Sequence, residues 1–140
     1  MSVPNVAKDV KIVIPGRPVP KKNSPIRPKG RNIILPSKAY QKYEKHCLKL
    51  LRSQEVRFAG LVHVCAIYYL RDYRWWPDLV GLTQATGDIL EKAKIIKNDK
   101  YIVSWDGSEI AGLDKQNPRA EITVREIADQ KRRKLFRLEV

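Results

Sequence analysis

Four aspartates in the middle of the chain, Asp72, Asp78, Asp88 and Asp99, are the residues best suited to chemistry. Cutting a phosphodiester at neutral pH usually needs a divalent ion held by carboxylates. The ion activates a water and neutralises charge growing on the phosphate. Two stretches carry the candidates, Trp75 to Leu90 and Ile95 to Asp99. Asp88 stands ten residues beyond Asp78. On one helix that separation is ~15 Å along the axis, whereas paired catalytic metals sit only ~4 Å apart. Asp78 and Asp88 therefore cannot grip one metal directly. Asp72, six residues before Asp78 through a loop, is the better substitute, and Asp106 in the Trp-Asp-Gly-Ser turn is another. Each acid also has a plainer use. Asp78 after Pro77 suits a helix N-cap, Asp99 and Asp106 suit turns, and Asp88 suits a structural contact.

The bases lie apart from the acids. The chain has 140 residues and a formal net charge of +13. Residues 1–54 carry 13 Lys and Arg against 2 acids, residues 55–127 carry 10 against 11, and residues 128–140 carry 5 against 2. Such a distribution points to a polyanionic partner, nucleic acid before a membrane surface, since no matching apolar face accompanies it. The residues expected to touch DNA phosphates are Lys21, Lys22, Asn23 and Arg27 in a Pro-rich loop, and Lys38, Lys42, Lys45, Lys49 and Arg52. The last five recur at helical spacing and form one basic stripe. Stacked like charges repel, so an anion would relieve the stripe; a solvated helix face is the bland alternative. Trp75 and Trp76 precede Asp78, and one of them, Trp75 by preference, is expected to stack on an unpaired base. His46 and His63 have no partner motif and are taken as structural.

The acidic centre resembles the active-site pattern of the RusA family of Holliday junction resolvases. Pro77-Asp78-Leu79, Leu82, Asp88-Ile89-Leu90 and Ile96-Lys97-Asn98-Asp99 fit the family's motif at matching spacing. The Pro18–Ser24 entry and the start of the first helix at Leu35–Tyr40 are similar too, so the resemblance spans about residues 10–126. It implies a small homodimer that binds branched DNA and cuts it with Mg2+, with Mn2+ as a substitute. The first catalytic Asp matches Asp78 and the last matches Asp99. The second falls on Val80, which cannot bind metal. A following Asn is Gly81, a supporting Lys is Gln84, and the first of the paired terminal acids is Asn98. On this reading Asp78 and Asp99 are catalytic and hold the metal, with Asp72 or Asp88 assisting. A protein that binds junctions without cutting them is the alternative, and an unrelated basic RNA-binding protein is a third class.

The elements that must position these residues follow from periodicity. Val10–Ile14 is a first strand and residues 15–29, with five prolines, an extended loop. Asn32–Leu35 is a short strand, and Ser37 caps a helix whose buried stripe is Tyr40, Tyr43, Cys47 and Leu50/Leu51. Leu61–Leu70 is a central strand apolar on both faces. Leu79–Ala93 is a second helix, weakened at Gly81 and Gly87 by up to ~1 kcal/mol each relative to Ala. Tyr101–Trp105, Glu109–Leu113 and Ala120–Ile127 close the sheet. The expected fold is a single α+β (or α/β) domain over residues 1–127, with a mixed sheet of about four to six strands and two helices on one face, followed by a basic tail, residues 128–140. The two cysteines are too few for a disulfide framework and fit buried thiols, although a bridge between them stays open. No signal peptide or membrane span is apparent, so a cytoplasmic, DNA-associated protein without a small-molecule cofactor is expected.

Overall fold

The computed structural model describes residues 8–21, 23–26 and 33–127. Lys22, Arg27 and the basic tail lie outside the described residues. The strands are β1 (Asp9–Pro15), β2 (Asn23–Ile26), β3 (Ile33–Pro36), β4 (Val62–Leu70), β5 (Ile102–Ser104), β6 (Glu109–Leu113) and β7 (Arg119–Glu126). The helices are α1 (Lys38–Leu51) and α2 (Leu79–Lys92), and a single 3₁₀ turn spans Asp99–Tyr101. This is the expected α+β domain, a mixed five-stranded sheet with two helices.

The sheet is organised around β4. One edge of β4 pairs antiparallel with β7, which in turn pairs antiparallel with β1. The other edge takes β5 along its first residues and β6 along its last, both parallel. These two short strands are one edge strand interrupted by the Asp106-Gly107 turn, where the Ser108 N–H donates to Trp105 O at 3.0 Å. The interruption would leave the Ala66 N–H without a ladder acceptor. The Ser108 hydroxyl accepts it at 3.0 Å, so that donor is not orphaned.

Side-chain alternation decides the layers. Val62, Val64, Ala66, Tyr68 and Leu70 of β4 are buried, and they share a face with Ile12 and Ile14 of β1 and Ala120, Ile122 and Val124 of β7. Onto that face α1 packs Tyr40, Tyr43, Cys47 and Leu51, and α2 packs Leu82, Ala85, Ile89 and Leu90. The intervening residues of β4 are only half-buried, so the expectation of two equally apolar faces is corrected. The second face carries Tyr69 with the Arg119 guanidinium over its ring at 4.0 Å. Arg119 also binds Glu121 at 2.8 Å and Asp114 at 2.9 Å. Hydrogen bonding from Arg119 holds the Glu121 carboxyl below its usual range.

Three further expectations are adjusted. The Pro-rich segment is not wholly loop, because Asn23–Ile26 pairs with Ile33–Pro36 in a separate two-stranded ribbon. Leu50 is exposed while its neighbour Leu51 faces the core, as one step of 100° around a helix requires. Both cysteines are free, but only Cys47 is buried and Cys65 is partly exposed; burial pushes the Cys47 thiol up to about 12.

Helix α1 begins where Ser37 accepts the Tyr40 N–H at 3.2 Å. Helix α2 begins where the Asp78 carboxylate accepts the Gly81 N–H at 3.1 Å. Gly81 has a second role. A Cβ there would lie 2.7 Å from Asp78 Oδ1 and 3.0 Å from Pro20 Cβ, and the Gly81 carbonyl accepts the Lys21 N–H at 3.2 Å. The Pro-rich entry thus closes onto α2 through the gap a missing side chain leaves. Gly81→Ala is expected to lower stability by about 1–3 kcal/mol through overpacking, although helix propensity alone would raise it by about 1 kcal/mol. A urea midpoint at or above that of the wild type would show that propensity wins.

Candidate nucleic-acid interface and acidic pocket

One face of α2 and the 3₁₀ turn meet at a pocket of about 290 Å³, lined by Val80, Thr83, Gln84, Gly87, Asp99, Ile102 and Trp105. The helical residues fall at i, i+3, i+4 and i+7, one stripe of a single helix face. At Gly87 the helix faces the turn and the strand after it at ordinary contact distance. A Cβ there would meet Ile102 Cδ1 at 3.4 Å, Trp105 at 3.5 Å and Asp99 Cβ at 3.9 Å. One turn further along the stripe, the Glu91 carboxylate accepts the Asp99 N–H at 2.9 Å. Asn98 caps the same turn by accepting the Lys100 N–H at 3.0 Å. The backbone of Asp99 is therefore tied to α2 through Glu91, and the residue is exposed at the pocket.

The other expected acids lie elsewhere. Asp78 is exposed at the start of α2 with its carboxylate on the helix end. Two residues separate it from Val80, a rotation of about 200° on a helix, and it does not line the pocket. Asp72 Oδ1 accepts the Arg74 N–H at 2.9 Å in the loop after β4. There it lines a small notch with Arg17, Arg71, Arg74 and Trp75. Asp88 Oδ2 sits 3.3 Å from the Lys21 ammonium and 3.5 Å from that of Lys92, and accepts the Tyr40 hydroxyl at 3.3 Å. Burial, reinforced by Glu44, keeps that phenol protonated by raising its pKa far above the ordinary value. Lys92 also bonds Glu44 at 3.0 Å, and this hydrogen bond raises the pKa of its ammonium. Asp88 is thus a clamp joining the Pro-rich entry, α1 and α2. The four carboxylates are dispersed, and among the described residues no three acidic, His or Cys side chains gather as a metal site.

The donor chemistry of the pocket is nonetheless that of a hard cation: a carboxylate (Asp99), an amide (Gln84) and a hydroxyl (Thr83), with no sulfur or imidazole. Mg2+ keeps several waters and is commonly bound through one or two carboxylates plus substrate phosphates. The residues fit an ion shared with a bound phosphate, and they do not fit a closed cage.

The basic stripe is assembled as expected. Lys38, Lys42, Lys45, Lys49 and Arg52 are all exposed, opposite the buried face of α1, and none is in an ion pair among the described residues. Lys21 differs, since its ammonium is on Asp88. Asn23 opens β2. Trp75 is 84% exposed with φ of 56°. A left-handed backbone costs a bulky residue about 1–2 kcal/mol. Glu91 and Thr83 were not legible as site residues from motif alone, although the spacing Val80, Gln84, Gly87, Glu91 is itself a helix stripe.

Fold and site together define a two-layer α+β domain with an exposed basic helix and an acid-bearing pocket beside a second helix. The family can be named as well: the sequence matches endodeoxyribonuclease RusA over residues 15–125, and the chain belongs to that family. No curated protein matches it. Membership implies an endodeoxyribonuclease of the Holliday junction resolvase kind, a class that acts on branched DNA. No helix among the described residues is long and apolar enough to cross a membrane.

The clamp carries a stability expectation. Asp88→Asn leaves Lys21 and Lys92 facing each other without their shared anion and is expected to cost about 1–3 kcal/mol. Urea unfolding measures it; an unchanged midpoint would mean that solvent already screens the cluster.

Proposed function

We propose that the protein is a structure-selective endodeoxyribonuclease that cuts four-way junctions and other branched DNA in recombination or repair. It works as a homodimer, because a junction is nearly two-fold symmetric and paired cuts need two sites. Family membership supports the reaction class, and the observation that carries the site is Asp99 exposed at a pocket that also holds the Gln84 amide and the Thr83 hydroxyl. In this reading α1 grips phosphates through Lys38, Lys42, Lys45, Lys49 and Arg52, which gives register without reading sequence. That suits a ligand recognised by its shape.

Asp99, with Gln84 and Thr83 beside it, is the group that would hold Mg2+ or Mn2+; Asp78, at the N-terminus of α2 and outside the pocket lining, is the further catalytic carboxylate that the family resemblance implies. The ion would supply charge neutralisation on the phosphate and an activated water. Glu91 orients Asp99 through the backbone. Gly87 leaves room for the scissile phosphate, and Ile102 and Trp105 keep the floor of the pocket apolar. Asp72 and Asp88 act at a distance, through the loop and the clamp. A second reading, a protein that binds branched DNA without cutting it, is favoured by one observation: Val80 presents an isopropyl group to the pocket beside its one carboxylate.

A labelled four-way junction incubated with Mg2+, Mn2+ or EDTA tests both readings. Metal-dependent paired nicks are expected, lost in Asp99→Asn while junction binding is kept. Val80→Asp adds a carboxylate to the pocket and is expected to raise cleavage about tenfold, a change of about 1.4 kcal/mol in barrier. Binding with no cleavage until Val80→Asp is made would establish the second reading. Junction affinity is also expected to fall steeply with salt. Removing Lys42 and Lys49 together should reduce the log–log salt slope by about 2, near one unit per phosphate contact. A slope unchanged by the double variant would detach the helix from the DNA.

A further inference from the structure

We propose that the loop between β4 and α2 is a base-stacking platform that takes an unpaired nucleotide at the branch point, with Trp75 and the Tyr73–Trp76 pair as its planes. This deepens the branched-DNA reading and rests on it. Tyr73, Trp75 and Trp76 are 76%, 84% and 50% exposed. Scattered exposed aromatics need no explanation, but three within four residues form an apolar patch of the kind that marks a binding surface. Tyr73 and Trp76 lie with ring centroids 5.7 Å apart and planes 20° apart, a pre-formed offset stack that leaves outer faces to solvent.

The backbone holds this arrangement against its own preference. Trp75 is one of two non-glycine residues with positive φ among those described. The other, Lys94, follows the C-cap of α2, where a left-handed residue is routine. Trp75 has no such reason. The Asp72 carboxylate fixes the turn through the Arg74 N–H, and buried Pro77 anchors its far end. The indole between them is thrust outward.

Charge identifies the occupant. Arg17, Arg71 and Arg74 line the notch beside Trp75, and none of the three is in an ion pair among the described residues. The notch holds only about 10 Å³, too little to enclose a ligand, so what it offers is an edge of three guanidinium groups against one carboxylate, Asp72, which accepts the Arg74 N–H, next to an open aromatic plane. That combination fits a nucleotide, the base on the ring and the phosphate on the arginines. A duplex hides its base faces, whereas the centre of a junction exposes them. The loop runs directly into Asp78 and α2, so a base held there draws its own strand toward the acidic pocket.

A four-way junction carrying 2-aminopurine at the branch point tests this, with the same probe inside a duplex as control. Binding of the wild type is expected to change the junction probe's fluorescence by twofold or more and to leave the duplex probe unchanged. Trp75→Ala is expected to lose that change and to weaken junction binding at least tenfold while duplex binding moves less than twofold; Trp75→Phe keeps a ring and is expected to restore the signal. Because Trp75 is exposed, circular dichroism and sedimentation of both variants should match the wild type. A junction signal that survives Trp75→Ala and the double variant Tyr73→Ala/Trp76→Ala overturns the platform alone. A wild type with no preference for junction over duplex overturns the branched-DNA reading and the platform with it. Variants that dissociate into smaller species would assign the patch to a subunit contact and also overturn it.

Discussion

Helix α2 is met on two sides at once, tightly at Gly81 and at ordinary contact distance at Gly87, and the rest of the site depends on that arrangement. On one side the Pro-rich entry lies against Gly81, close enough that a methyl group would collide with Pro20. On the other side the 3₁₀ turn brings Asp99, Ile102 and Trp105 against Gly87. Both glycines weaken the helix intrinsically, and both are where another part of the chain meets it. At Gly81 the helix gives up local propensity and gains the contact with the basic entry; on the other flank Glu91 ties down the turn that carries Asp99.

The charges divide in the same way. Asp88 and Lys21, an acid and a base that composition alone would send to metal and to phosphate, neutralise each other together with Lys92. That clamp fastens three segments far apart in sequence, and it leaves Asp99 as the acid of the pocket and the α1 stripe as the open cationic surface. Removing a charge from the clamp and removing one from the stripe therefore act on different properties: the first on folding, the second on encounter with a polyanion.

Much of this was readable in advance. Strong periodicity gave α1, with Tyr40, Tyr43 and Cys47 inward and the lysines outward, because burial and charge agree there residue by residue. The spacing of Asp78, Asp88 and Asp99 gave the family. The Pro-rich segment was harder: prolines mark irregular backbone, but Pro25 sits within a strand of a two-stranded ribbon, where the ladder tolerates a missing donor at an edge. The single-faced burial of β4 was also hidden, since an apolar run does not say which side is covered.

By itself the sequence determined the α+β class, the two amphipathic helices, the basic stripe and the membership in a nuclease family, because each rests on local spacing or on residue type. Only the tertiary structure decided where each acid stands. Asp72, Asp78, Asp88 and Asp99 are interchangeable as letters, yet one lines a turn, one caps a helix, one joins a clamp and one faces a pocket. That outcome depends on the direction in which each side chain leaves its element and on what packs against it, and both are set by contacts between segments dozens of residues apart.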